Sequence, residues 1–118
     1  MKNIIFFGPP GAGKGTQAKI ISNYFNIPHL STGEILRNKI LEKDKLALKL
    51  KEIMSTGMLV SDDILNSIVS SRLEIEKDKG FILDGYPRTL SQLEYLNGFL
   101  KQISKNINYI FNVHINFS

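Results

Sequence analysis

The stretch Gly8-Pro9-Pro10-Gly11-Ala12-Gly13-Lys14, with the segments on either side of it, is the most informative part of the sequence about the fold. Residues 3–7 precede it, and such a short apolar run, bounded by glycine and proline, predicts a buried β-strand. Residues 14–25 follow it and carry apolar side chains at helical spacing. The stretch itself fits the pattern G-x-x-x-x-G-K, in which backbone N–H groups and a helix N-terminus surround a phosphate. Strand, loop and helix together therefore predict a phosphate-binding loop.

The rest of the chain alternates between predicted strands and predicted helices. The strands are residues 27–30, 81–83 and 109–113, and the helices are residues 31–43, 46–56, 61–73 and 93–103. This alternation predicts an α/β fold with a parallel sheet. Three helical patterns fill the long gap between the second and third strands. They predict a helical subdomain inserted at the carboxyl edge of the sheet, where open α/β sheets bind ligands.

Composition limits the classes of protein to which the chain can belong. The 118 residues are 42% hydrophobic and 22% charged, which is typical of a single globular domain. The absence of cysteine excludes disulfides and thiolate metal sites and fits a reducing compartment. The longest apolar run, residues 4–7, is too short for a membrane span or a signal peptide. We therefore expect a cytoplasmic protein with no membrane partner.

The net charge of +4 raises the question of nucleic-acid binding. The excess is lysine dispersed over predicted helices, which is typical of a solvated surface, and the sequence contains no block of five basic residues. We therefore expect no nucleic-acid partner. Arginine is rare, and two of the three arginines, Arg37 and Arg88, fall inside motifs.

A second motif, Phe81-Ile82-Leu83-Asp84-Gly85-Tyr86-Pro87-Arg88, begins as an apolar strand and ends in polar residues. A carboxylate at a strand end, such as Asp84, can organise magnesium through its water shell. Gly85 allows close approach to a base, and the planar guanidinium of Arg88 can bind phosphate. Alone, the motif fits a surface turn equally well. The upstream phosphate-binding loop favours the functional interpretation.

Two further features qualify the predicted site. Gly15 follows Lys14, so Thr16 stands one position after the place where Ser or Thr normally contacts magnesium. We therefore expect the metal to be held mainly by water and phosphates, with no direct protein ligand; the alternative is Thr16, if the start of the helix shifts. Ser31 and Glu34 form a predicted capping box, and Arg37 on the same helix can face a second phosphate.

Four motifs together resemble those of the adenylate kinases in order and spacing: G-P-P-G-A-G-K-G-T-Q, L-S-T-G-E-I-L-R, G-M-L-V-S-D-D and F-I-L-D-G-Y-P-R-T. The resemblance runs along the whole chain. It implies a P-loop NTPase-type parallel sheet with four of the usual five strands, and an AMP-binding lobe at about residues 31–60. It also implies reversible phosphoryl transfer from ATP to AMP with Mg²⁺, which serves nucleotide homeostasis and gives two ADP.

Position by position, the resemblance implies roles for individual residues. The phosphates of ATP would contact Gly11, Ala12, Gly13, Lys14, Gly15 and Thr16. AMP would contact Thr32, Arg37, Met58, Leu59, Val60, Gly85, Tyr86, Pro87, Arg88 and Gln92, with Gln92 reading the adenine. Lys14 and Arg88 would stabilise the transferring phosphoryl group, and Asp84 would organise Mg²⁺. We expect His29 and His114 to be structural or surface residues.

The resemblance also sets expectations about what this chain does alone. Relatives continue after the fourth strand into a mobile lid carrying arginines, whereas this chain stops at Ser118. We expect this truncated kinase core, residues 1–118, to bind nucleotides with little turnover. The family is usually monomeric, but an apolar edge at residues 109–113 would favour self-association.

Two other functions remain open on the same fold. One is a UMP/CMP kinase, which Thr32 disfavours because those relatives tend to have alanine there. The other is a non-catalytic nucleotide-binding fragment, which the missing lid favours.

Overall fold

The computed structural model describes residues 2–9 and 13–112, which form four strands and five helices. The strands are β1 (Lys2–Phe7), β2 (His29–Ser31), β3 (Gly80–Asp84) and β4 (Tyr109–Asn112). The helices are α1 (Lys14–Phe25), α2 (Thr32–Leu41), α3 (Lys45–Ser55), α4 (Asp62–Glu76) and α5 (Leu90–Gln102). Strands and helices alternate as predicted, and three helices lie between β2 and β3.

All strand pairs are parallel, and the order across the sheet is β2-β3-β1-β4. Asp84 at the end of β3 is in register with Phe6 of β1 on one side and Ser31 of β2 on the other. The carboxyl ends of these three strands therefore meet at Asp84. The expected α/β fold with a parallel sheet is confirmed.

The alternation of side chains along β1 and β3 builds a core on each face of the sheet. On one face Ile5 and Leu83 pack in a cluster that also contains Leu50 of α3. On the other face Ile4 and Ile82 pack with residues that include Ala18 of α1. Helices therefore cover both faces, and the inserted helix α3 shares its core with the sheet. None of the helices formed by the described residues is long and apolar enough to cross a lipid bilayer.

Polar side chains cap four of the helices and set where they begin. Ser31 and Ser61 accept hydrogen bonds from the backbone N–H groups of Glu34 and Ile64, as their positions predict. For Ser31 this is the serine half of the predicted capping box. Asp44 and Thr89 also cap helices, α3 and α5 respectively, and the sequence analysis missed both.

Some element boundaries differ from the predicted ones for local reasons. Helix α5 begins at Leu90, three residues before the predicted start, because Thr89 caps it. Helix α2 ends at Leu41, before the predicted 43, since Lys43 adopts a left-handed backbone conformation. Strand β2 begins at His29, after the predicted start at 27. The predicted last residue of β4, Val113, lies outside the described residues.

Strand β4 forms one edge of the sheet and is exposed along its described length. The side chains of Tyr109, Ile110 and Phe111 are 45%, 62% and 38% exposed. The predicted apolar edge is therefore present.

Candidate functional site

A cavity of about 310 Å³ opens at the carboxyl ends of β1 and β3. It is lined by Phe6, Phe7, Gly8, Pro9, Lys14, Gly85 and Arg88. The cavity lies at the sheet edge where parallel α/β folds place ligands. The first two predicted motifs, far apart in the chain, therefore contribute to one cavity. Two of the predicted ATP contacts, Gly11 and Ala12, lie outside the described residues.

The start of α1 is arranged to leave backbone donors available. Gly13 is the N-cap, with φ 82° in the left-handed region, and makes no side-chain capping bond. Gly15 and Thr16 are exposed in the first turn. The first N–H groups of a helix have no partner within the helix, so these amides can donate to an anion.

Asp84 immediately precedes Gly85, which lines the cavity, and binds two side chains through its carboxylate. Its Oδ1 is 2.7 Å from Lys14 Nζ, and its Oδ2 is 2.9 Å from His29 Nε2. Burial favours the neutral form, but the hydrogen bonds from Lys14 and His29 prevail and hold the pKa of Asp84 below its usual range. The carboxylate is therefore ionised, and it holds Lys14 at the cavity.

His29 is a site residue whose contact the sequence analysis missed. It is in register with Ile82, two residues before Asp84, so both side chains project from the same face of the sheet. His29 and Asp84 meet because β2 and β3 are neighbours in the sheet. This contact can be inferred only when the strand order is known. The other histidine, His114, lies outside the described residues.

Thr32, Gly85 and Arg88 converge at the end of β3. Thr32 Oγ1 donates to the carbonyl oxygen of Asp84 at 3.4 Å. Gly85 has φ +91°, and a Cβ there would stand 3.1 Å from Thr32 Oγ1 and 3.4 Å from Arg88 Nη2. Only glycine fits between these two polar side chains without strain, so the structure brings three of the predicted AMP contacts together.

Four other predicted AMP contacts belong to the helical insertion at about residues 31–60, and none of them lines this cavity. The Arg37 guanidinium lies over Gly33, whose added Cβ would stand 3.1 Å from Arg37 Nη1. Met58 and Leu59 are 69% and 95% exposed in the segment between α3 and α4, and Val60 is partly buried there. These residues occupy the helical insertion and the segment that follows it.

The side chain of Tyr86 serves packing rather than the cavity. It is buried, and its hydroxyl donates to Asn66 Oδ1 on α4. Burial, helped by the nearby Tyr95 and Asp62, raises the pKa of Tyr86 far above its usual value, so the phenol stays neutral. Pro87, also buried, follows it through a cis peptide bond.

Gln92 is 5% exposed, and its side-chain amide has protein partners at both ends. Its Oε1 accepts the backbone N–H of Arg88 at 2.6 Å, and its Nε2 donates to Asp62 Oδ1 at 2.8 Å. The Thr89-x-x-Gln92 spacing is typical of a capping box and could have indicated a role for Gln92 at the helix start. No sequence pattern indicated that Asp62 contacts Gln92.

The donor set suits magnesium bound through water. Asp84 is a single carboxylate, and no cluster of three His, Asp or Glu side chains suited to a metal occurs within residues 2–9 and 13–112. A single carboxylate next to the cavity-lining Gly85 fits an ion that keeps its waters and is held by substrate phosphates. The residues therefore fit Mg²⁺ in that mode.

The sequence is similar to a known enzyme family over almost its entire length. Residues 6–118 match the family model described as adenylate kinase. The adenylate kinase of Thermotoga maritima is 53% identical over 110 residues, which cover 91% of this chain and 50% of that protein. The adenylate kinase of Archaeoglobus fulgidus is 50% identical over 112 residues, covering 94% of this chain and 52% of that protein.

The chain spans about half the length of the curated relatives it matches. The matched region contains β3 and every residue that lines the cavity, so the similarity covers the residues that form the site. On this match and this fold, the chain belongs to the adenylate kinase family.

Proposed function

We propose that the chain takes part in reversible phosphoryl transfer from ATP to AMP, giving two ADP, and so in nucleotide homeostasis. One observation carries this proposal: Lys14 and Arg88 line the same cavity, and the ionised carboxylate of Asp84 binds Lys14. Phosphoryl transfer needs two nucleotides in line and cations around the moving group, with little proton chemistry. Family membership and a cysteine-free composition support a cytoplasmic location as part of the proposal.

We assign the binding of ATP, the phosphoryl donor, to the predicted phosphate-binding loop and the start of α1. The amides of residues 11–16 bind the phosphates of ATP. Lys14 exchanges Asp84 for the β- and γ-phosphates when nucleotide binds, since both are anionic partners for one ammonium group. This exchange frees a carboxylate oxygen of Asp84 to accept hydrogen bonds from water. Bound Mg²⁺ supplies charge neutralisation at the phosphates.

The acceptor side is assigned to the end of β3 and to the helical insertion at about residues 31–60. Arg88 binds the phosphate of AMP through its planar donors, and Thr32 and Gly85 lie beside it. The remaining AMP contacts are assigned to Arg37, Met58, Leu59, Val60, Tyr86, Pro87 and Gln92. For Tyr86 and Pro87, burial favours contacts through the backbone.

Calorimetric titration with AMP and with ATP tests the assignment. Lys14→Ala should weaken ATP binding at least tenfold, because a charge-assisted contact to phosphate is lost. Lys19→Ala on the exposed part of α1 removes the same charge and should leave the affinity unchanged. Arg88→Ala should weaken AMP binding similarly, with Arg72→Ala on α4 as its control. Equal losses in variant and control, or tighter binding of UMP or CMP than AMP, would contradict the proposal.

We also propose that the 118-residue chain by itself turns over slowly. Support comes from its coverage of about half of each relative, which leaves out the lid arginines that the resemblance implies. An arginine on a transferring phosphate can contribute about 10³–10⁵ in rate. A coupled assay of ADP formation, run beside the Thermotoga maritima adenylate kinase, checks this. Similar rates for the two proteins would refute it.

A further inference from the structure

The side-chain amide of Gln92 lies between two partners of opposite hydrogen-bonding character. The backbone N–H of Arg88 can only donate, and the carboxylate of Asp62 accepts. Asp62 stands in the first turn of α4, so this contact joins the start of α4 to the start of α5.

The two partners fix which way the amide points. If the amide turned by half a revolution, its Oε1 would face the Asp62 carboxylate and its Nε2 would face the Arg88 N–H. Both contacts would then be repulsive. The contact to Asp62 is the stronger constraint, since hydrogen bonds to a carboxylate are about twice as strong as those between neutral groups.

A fixed amide presents its remaining groups with a fixed polarity. An amide has two N–H donors and two acceptor positions, and the bonds to Arg88 and Asp62 use one of each. One donor and one acceptor remain for a ligand. A 6-aminopurine offers a bare ring nitrogen beside an amino donor, and a 6-oxopurine offers a ring N–H beside a carbonyl acceptor. The two bases therefore require opposite orientations of the same amide.

We infer that Asp62 is a positioning residue that makes the acceptor site select 6-aminopurines over 6-oxopurines, by preventing the Gln92 amide from turning. The inference rests on the proposed function, because it takes Gln92 to be the residue that reads the base. Asp62 acts through Gln92 and need not touch the nucleotide.

Titration of the chain with AMP and with IMP tests this role, because the two nucleotides differ only at the base edge concerned. Asp62→Asn keeps the shape of the side chain but can donate to a turned amide. We expect the ratio of the IMP to the AMP dissociation constant to fall about tenfold in this variant. Asp63→Asn is the matched control: Asp63 is exposed in the same first turn, so its loss has the same effect on helix charge.

The outcomes separate the inference from the proposed function. An unchanged ratio in Asp62→Asn, or an equal fall in both variants, overturns the role of Asp62. Equal binding of AMP and IMP by the unaltered chain also overturns the role of Asp62. In that case the proposed function still holds, provided that AMP binding depends on Arg88. A chain that binds neither nucleotide refutes the function itself. Should Asp62→Asn not fold, Asp62→Ser against Asp63→Ser gives the same comparison, because a hydroxyl also donates or accepts.

Discussion

Asp84 connects stability and function at the residue scale. Its carboxylate binds Lys14 and His29 in the free protein, and Lys14 is the residue assigned to the nucleotide phosphates. Under the proposed function, the same ion pair that stabilises the fold has to open when ATP binds. The contribution of the Asp84 carboxylate to the free energy of unfolding should therefore depend on pH.

The lowered pKa of Asp84 predicts a loss of stability in acid. A carboxyl group whose pKa is lower folded than unfolded stabilises the fold above the unfolded pKa, about 3.9, and loses that contribution as pH falls through the folded pKa. We expect Asp84→Asn to reduce the free energy of unfolding at pH 7 and to flatten its decline below about pH 4. Urea unfolding at several pH values measures this, with Asp78→Asn in the turn after α4 as the exposed control. Parallel curves for Asp84→Asn and the unaltered chain would contradict the prediction.

Removing the hydroxyl of Tyr86 should lower the free energy of unfolding, because the hydroxyl donates a hydrogen bond to the buried Asn66. Tyr86→Phe leaves the buried Asn66 side chain without its donor, and an unsatisfied buried polar group costs about 1–3 kcal/mol. Tyr95→Phe removes a hydroxyl bonded to Ser70 from a side chain that is 40% exposed, so it should cost less than about 1 kcal/mol. Thermal unfolding of both variants measures the difference. Equal effects would show that the Asn66 bond contributes little.

Local sequence patterns indicate some of the residues that meet at the cavity but not others, for a physical reason. Lys14 and Arg88 stand in motifs whose spacing is set by the local backbone, so a pattern predicts them. His29 and Asp62 reach the site through contacts between elements distant in the chain. Such contacts depend on strand order and helix packing, which no local pattern contains.

At the scale of elements, Gly80 makes the start of β3 possible. It has φ +88°, and a Cβ there would meet the backbone carbonyl oxygen of Lys2 in the neighbouring strand β1. We expect Gly80→Ala to cost more than about 2 kcal/mol, because it adds backbone strain and separates the two central strands.

Gly98 gives the matched substitution for the Gly80 experiment. It is exposed within α5, and an added Cβ would meet nothing within 4 Å. Gly98→Ala should therefore stabilise the chain by about 0.5–1 kcal/mol through helix propensity. Chemical unfolding of the two alanine variants checks both signs. A neutral Gly80→Ala would contradict the close approach of β1 and β3.

The elements themselves could be predicted where a local chemical signal marks their ends. Ser31 and Ser61 cap helices at the predicted positions, and the predicted bounds of α1 agree with the structure. Strand β2 begins two residues after its predicted start and ends one residue after its predicted end, since Pro28 interrupts its pattern and only three residues pair as a strand. Short strands take their limits from their neighbour in the sheet.

For the whole molecule, the exposed edge strand β4 predicts self-association. Ile110 is 62% exposed on an edge of the sheet, where unpaired backbone groups can pair with a second chain. We expect sedimentation velocity to show association that rises with concentration and falls in Ile110→Lys. Ile20→Lys is the control, because Ile20 is also 62% exposed but lies on helix α1. A chain that is monomeric throughout, or equally affected by both variants, would refute the prediction.

The fold class could be predicted from the alternation of elements, but the strand order could not. Placing β3 between β2 and β1 puts Asp84 beside Phe6 and Ser31, and that neighbourhood creates the cavity. The sequence indicated that the motif residues belong to one edge. The order of the strands decides which of them touch.

The ion pair between Lys14 and Asp84 joins the start of the first helix to the end of the third strand. Lys14 and Asp84 meet only after β1 and β3 have paired. A segment of the chain that lacks either strand therefore cannot form the complete cavity. Occupancy by a nucleotide should therefore protect the amides of the central strands against hydrogen exchange, although the ligand touches only their ends. A mononucleotide can serve as a reporter of whether newly made chains have reached the native sheet.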